Sequence, residues 1–202
     1  MTNIARGEEQ RRMYSTLEKV ILLALSDGNF AAADASDGSL ARAYGAAAAA
    51  DLSVAGLLPA GPEKFRLRKS NGFRGRVFEK SAAAAAGYAV LSDAARELEK
   101  IAPELERICV DELLEKSALA TARQFGFFGR EVLKVADARA CRQIRESVFA
   151  AVSGGEEPDF RSAALIWALF CGGLAAVALS RAQLRKFGAR VSEIAEEFAR
   201  PE

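Results

Sequence analysis

Residues 162–180 read SAALIWALFCGGLAAVALS, nineteen consecutive uncharged residues held between Arg161 and Arg181. As a single α-helix this stretch reaches about 28 Å, close to the ~30 Å of a bilayer's hydrocarbon core. Two placements compete: a membrane span, or a core helix buried on all sides. Small residues recur through it, at Ala163, Ala164, Ala168, Gly172, Gly173, Ala175 and Ala176, and small residues let neighbouring helices approach closely. Amphipathic segments elsewhere also need a partner to cover their apolar faces. The expectation is therefore a mainly α protein, a single compact helical domain built around 162–180, with Trp167 and Leu169 deeply buried.

Working outward, Leu184, Phe187, Val191, Ile194 and Phe198 recur at 3-4-3-4 spacing, the apolar stripe of a C-terminal amphipathic helix. Ala138, Cys141, Ile144, Val148 and Val152 form another stripe, and Ser153-Gly154-Gly155 through Pro158 is a loop. Ala95, Leu98, Ala102 and Leu105 share a face, with Pro103 separating two helices. Asp111 reads as a helix cap for DELLEKSALATARQF, and FGFFGREVLKV as a corner followed by a short extended piece. Near the start, Ser15 and Glu18 make a capping box ahead of VILLAL, a helix ending near Asp27-Gly28. The alanine-rich LARAYGAAAAADLSVAGLL is helical and stops at Gly56, with Pro59 beyond. Residues 1–14 read as a loose polar tail and 15–200 as the domain.

The chain has 202 residues, 28 Lys and Arg against 27 Asp and Glu, and no histidine. Without histidine there is no Ser-His-Asp or Cys-His catalysis, no histidine-bound zinc and no imidazole switch. Cys109, Cys141 and Cys171 lack CxxC spacing and read as small buried thiols of a reducing cytoplasm. The first apolar run, Val20–Leu25, is six residues long, too short for a signal-peptide core. No phosphate loop, nucleophile elbow or metal-ligand spacing is present in the sequence. The expectation is no catalytic residue, no metal and no cofactor, hence not an enzyme.

Charge is uneven. KFRLRKS and FRGRVFEK alternate apolar and basic residues around Asn71-Gly72, the strongest short-range hairpin signal. From Glu63 to Lys80 there are seven cations and two acids, a local +5 in a chain whose total is +1. The uncharged SAAAAAGYAVLS follows directly. Such a ribbon either meets an anionic surface or blunts an exposed strand edge. Among anions a lipid headgroup ranks above nucleic acid, because the chain is not basic overall and alternation turns Phe65, Phe73 and Phe78 toward the core. Arg139, Arg142 and Arg145 recur at i, i+3, i+6, with Arg123 and Arg130 upstream. Solvation accounts for this second basic stripe better than function does.

The order of these features resembles the Golgi phosphoprotein 3 family, in its bacterial-type form, over about residues 15–180. The matching pieces are STLEKVILLAL, the acid-Leu-x-x-x-Gly pattern at Asp51-Leu52 and Gly56, Glu79-Lys80-Ser81 leading into AAAAAGYAVLSDAARELEK, then RQIRESVFAAV and SAALIWALF. The resemblance implies a helical peripheral membrane protein whose aromatic-arginine pocket binds a phosphoinositide, and whose hairpin touches the membrane and aids oligomerisation. The family's pocket tryptophan falls near Ser36-Asp37 and its second-helix arginine near Gly45, with Arg42 one turn earlier. Its RxxR pair falls near Ser117 and Ala120, with Arg123 beyond.

Two functions follow as expectations. The first is a cytoplasmic, peripherally membrane-associated protein that binds anionic membrane lipid through Arg42, Arg66, Arg68, Arg74, Arg76 and Arg123, with Tyr88, Val90 and Leu91 touching the membrane. It forms a homo-oligomer through the hairpin where one forms, and binds no nucleic acid. The second is a scaffold that keeps the fold without lipid binding.

Overall fold

The computed structural model describes residues 14–26, 38–60, 75–123, 131–154 and 157–200. Its first elements are α1 (Thr16–Ser26), α2 (Ser39–Val54), α3 (Arg76–Ala84), α4 (Leu91–Lys100) and α5 (Ala102–Glu115). The strands β1 (Leu119–Arg123) and β2 (Glu131–Val135) follow, then α6 (Ala138–Ser153), α7 (Phe160–Cys171), α8 (Ala175–Ala178) and α9 (Arg181–Ala199).

Small side chains put α2 at the centre. A Cβ on Gly45 would lie 2.6 Å from both the Ala95 carbonyl oxygen and the Glu99 amide nitrogen, so α2 and α4 meet backbone against backbone. On another side, a Cβ on Gly172 would lie 2.6 Å from the Ala43 Cβ, where the end of α7 presses on α2. Packing continues from α7 to α9 through aromatic rings: Phe198 lies 5.1 Å from Phe160 and 5.5 Å from Trp167, centroid to centroid. The helices α4, α2, α7 and α9 thus form a row, with α4 and α9 on opposite flanks. Across α2 and α7 lies α1, its Leu17 and Val20–Leu23 all buried.

Residues 162–169 are buried as expected, with Trp167 4% and Leu169 2% exposed, but Phe170 is 41% exposed and 162–180 is not one helix. At Cys171 α7 ends in a Schellman turn: the Gly173 amide donates to the Phe170 carbonyl (3.0 Å) and the Leu174 amide to Leu169 (2.7 Å). Gly173 takes φ +68°, a left-handed conformation natural to glycine. The 12 residues of α7 cover about 18 Å. Among the described residues no helix is long and apolar enough to cross a membrane.

The hairpin also differs from expectation. Residues 61–74, with the Asn71-Gly72 turn, lie outside the described residues, and from Arg76 onward the segment read as a returning strand is the helix α3. The sequence RVFEKSAAA has a helical period too: Val77 and Ser81 are buried at i, i+4, and the alanines favour helix. The hairpin of the described fold is β1–β2, antiparallel, pairing Leu119 with Val135 through Arg123 with Glu131. Asp111 therefore lies inside α5 and caps nothing downstream. Past Glu115 the chain leaves the helix through Ser117 at φ +56°, with the Ala118 amide donating to the Leu113 carbonyl (2.9 Å). Cys109 and Cys141 are buried, while Cys171 is half-buried, its thiol pushed up to about 11 by burial.

Two substitutions test this packing. Trp167→Ala should cost about 3–5 kcal/mol in urea melts. Gly45→Ala should destabilise by about 1–3 kcal/mol, although alanine is the better helix former by about 1 kcal/mol, because the added methyl meets backbone that cannot yield. A stabilised Gly45→Ala protein would show that α2 and α4 do not touch.

Candidate functional site

The sequence-predicted cations fall into three groups. Arg66, Arg68 and Arg74 lie outside the described residues, and Arg123 closes β1. Arg76 and Lys80 belong to α3, whose first turn is bolted to the acidic face of α5. Gly75 precedes α3 with φ +149° and offers no side-chain cap; the cap comes instead from Glu112. The Glu112 carboxylate accepts the Arg76 amide at 2.7 Å and the Val77 amide at 3.4 Å. A Cβ on residue 75 would lie 2.9 Å from that carboxylate, so glycine makes the approach possible. The Arg76 guanidinium reaches Glu115 at 2.8 Å, and the Lys80 ammonium reaches Glu104 at 2.9 Å. These two members of the basic ribbon thus have partners within the fold.

Between α3 and α4 the chain turns at Gly87 (φ +94°), and residues 86–90, AGYAV, are all exposed. Tyr88 and Val90 stand 38% and 39% exposed. The Tyr88 hydroxyl donates to Glu97 at 3.0 Å, a bond that raises its pKa, while Lys100, donating at 2.6 Å, holds Glu97 low. Leu91 does not belong with them. It is 2% exposed and anchors the first turn of α4 in the core, which corrects its assignment as a membrane contact.

Arg42 is exposed in the first turn of α2, its guanidinium donating to the Ser39 hydroxyl at 3.2 Å. One turn on, Gly45 faces α4 so closely that no arginine side chain fits there. Ser117 and Ala120, the positions matched to the RxxR pair, sit in a turn and in β1 rather than on a helix. Arg123 is thus related to Ala120 by strand geometry, not by a helical turn.

Sequence reading missed one polar centre, because its partners are far apart along the chain. Asp51, near the end of α2, is 5% exposed and caps α1, accepting the Thr16 amide at 2.7 Å and the Leu17 amide at 3.1 Å. Beside it the expected capping box forms: the Glu18 amide donates to the Ser15 hydroxyl (3.2 Å) and the Ser15 amide to the Glu18 carboxylate (2.9 Å). Glu18 is 3% exposed and also pairs with Lys116 at the end of α5. This network ties α1, α2 and α5 together. It gives the Asp-Leu-x-x-x-Gly motif a physical role, with Asp51 capping one helix and Gly56, at φ +78°, closing another.

Burial raises the Asp51 carboxyl to about 6 from an ordinary 3.8, against two amide donors that favour its charged form. The folded state holds this proton more tightly than the unfolded chain does. Its contribution to stability is therefore complete below the unfolded value and lost as pH rises through about 6. Between about pH 4 and pH 7 the parent should lose up to about 3 kcal/mol more than Asp51→Asn in urea melts. Equal pH slopes for the two proteins would show that Asp51 ionises as readily folded as unfolded.

Residues 17–202 match the model of the Golgi phosphoprotein 3 (GPP34) family, whereas none of the curated proteins compared with the chain matches it. The matched span runs from α1 through α9 and takes in the Asp51 cap, the α3–α5 clamp and the central α7. On that match the chain belongs to the Golgi phosphoprotein 3 family.

Proposed function

We propose that this protein is a non-enzymatic peripheral membrane protein that binds anionic lipid headgroups. One observation carries the reading: between Glu63 and Glu79 the sequence holds six cations and no acid, and five of them, Lys64, Arg66, Arg68, Lys69 and Arg74, precede the sixth, Arg76, which α5 engages. The segment joins α2 to α3, and the exposed turn carrying Tyr88 and Val90 follows one short helix later. A cationic stretch beside exposed uncharged residues suits an interface with anionic headgroups above and apolar chains below. Arg42 and Arg123 are proposed as further headgroup contacts. A homo-oligomer through the basic hairpin read at Asn71-Gly72 remains part of the proposal.

Each basic residue near an anionic surface adds about 1 kcal/mol. Replacing Arg66, Arg68 and Arg74 with glutamine should thus weaken co-sedimentation with phosphatidylserine vesicles roughly a hundredfold, and leave thermal stability unchanged. Neutral phosphatidylcholine vesicles should bind neither protein strongly. Arg76→Gln should differ, losing stability with its Glu115 pair while keeping most of the binding. Undiminished binding by the triple variant would leave the scaffold reading as the better one.

A further inference from the structure

The helix on the flank opposite α4, α9, carries its charge in two blocks of opposite sign. Arg181, Arg185, Lys186 and Arg190 fall in its first half, and Glu193, Glu196 and Glu197 in its second. No acid stands in its first turn and no cation in its last, so both ends oppose the helix macrodipole. A lone helix is stabilised by the reverse order, acids first and cations last. The sorted charge therefore brings α9 itself no stability. The inner face belongs to the core, with Val191, Ile194, Ala195 and Phe198 buried. The outer face is open. Ala182, Arg185, Lys186, Ala189, Glu193 and Glu196 are all exposed and recur every three or four residues as one continuous stripe. Among the described residues Arg185, Lys186 and Glu196 have no counter-ion within the chain, and Glu193 has only Arg190 on its own helix, at 2.9 Å.

We propose that two copies of this chain associate through the outer faces of α9, antiparallel about a two-fold axis near Ala189. A two-fold contact is isologous, so one patch must complement itself. Turned end for end about Ala189, this stripe does so: its positive half lies over the partner's negative half, and the reverse. The helical period sets Lys186 and Glu193 on one side of the line through Ala182 and Ala189, and Arg185 and Glu196 on the other. The two-fold lays each side of the stripe on the same side of its copy. Lys186 then stands level with Glu193 of the partner subunit, and Arg185 within a turn of the partner's Glu196. Parallel pairing sets like charge against like, and a uniformly charged partner matches only half of the stripe. Charge thus selects a second copy. Exposed pairs of this kind are individually weak, so the dimer is concentration-dependent and salt-sensitive. The contact uses no residue of the basic segment at 63–80, so it stands apart from lipid binding and from assembly through that segment.

Sedimentation equilibrium on the full chain tests this. The parent should dimerise reversibly at low salt, with a dissociation constant at least about tenfold higher in about 1 M sodium chloride, where the Debye length falls to about 3 Å. An acidic variant, Arg185→Glu with Lys186→Glu, and a basic variant, Glu193→Lys with Glu196→Lys, should each be monomeric, because facing stripes then carry one sign. Mixed one to one, the two should form a heterodimer, since opposite signs now meet along the whole stripe. A control, Arg96→Glu with Arg107→Glu on α4 and α5, should dimerise as the parent does. Carbodiimide labelling of the parent, read by mass spectrometry, should protect Glu193 and Glu196 at dimerising concentrations. That footprint needs no variant, so it decides the matter even where charge reversal harms folding. A parent that stays monomeric at low salt, a dimer that leaves both glutamates unprotected, one that survives in both variants, or an equal loss in the control would each overturn the proposal.

Discussion

Everything in this fold depends on how closely α2 is approached. With a five-alanine run, and glycine at position 45, its axis comes near enough to α4 for backbone to touch backbone, and Gly172 allows the end of α7 the same intimacy. A helix with so few large side chains contributes little area of its own. What it contributes is proximity: its neighbours bury their leucines and aromatics against one another across it. The same closeness explains why position 45 has no room for a cation, while Arg42, one turn earlier, stands exposed.

Charge does a second kind of structural work. The clamp of α3 on α5 uses Glu112 as a borrowed cap, and Glu115 and Glu104 as counter-ions for Arg76 and Lys80. Exposed pairs of this sort are each worth under about 1 kcal/mol, so their effect is to fix direction more than to add stability. The capping bonds to the Arg76 and Val77 amides matter more, because they satisfy donors that a helix start otherwise leaves open.

How legible this was from sequence depends on whether the signal is local. Ser15 with Glu18, and Gly56 after the alanine helix, are short-range signatures, and both stand where they were read. The period-two reading of FRGRVFEK was local as well. It failed from Arg76 because the same residues satisfy a helical period, and a distant partner, Glu112, supplied the cap that decided between them. The end of α5 was missed because the left-handed residue there is Ser117, not glycine, so nothing in the sequence announced the stop before β1. The apolar run at 162–180 hid a break for the opposite reason. Its uncharged character drew the eye past Gly172-Gly173, an ordinary helix terminator. Asp51, whose partners lie at residues 16 and 17, was beyond any local rule.

The candidate sites show what a charge pattern can and cannot say. A sequence reports a sum: +5 between Glu63 and Lys80. The fold divides that sum, assigning Arg76 and Lys80 to carboxylates of α5. Over α6 and α9, Phe149 and Phe187 bring two cation-bearing helices together beside a cavity whose own charged lining, Arg145 and Glu146, is one of each sign. Both patterns change their meaning in the fold for one reason: an ion's value to a partner depends on what already surrounds it, and that is decided by packing between elements.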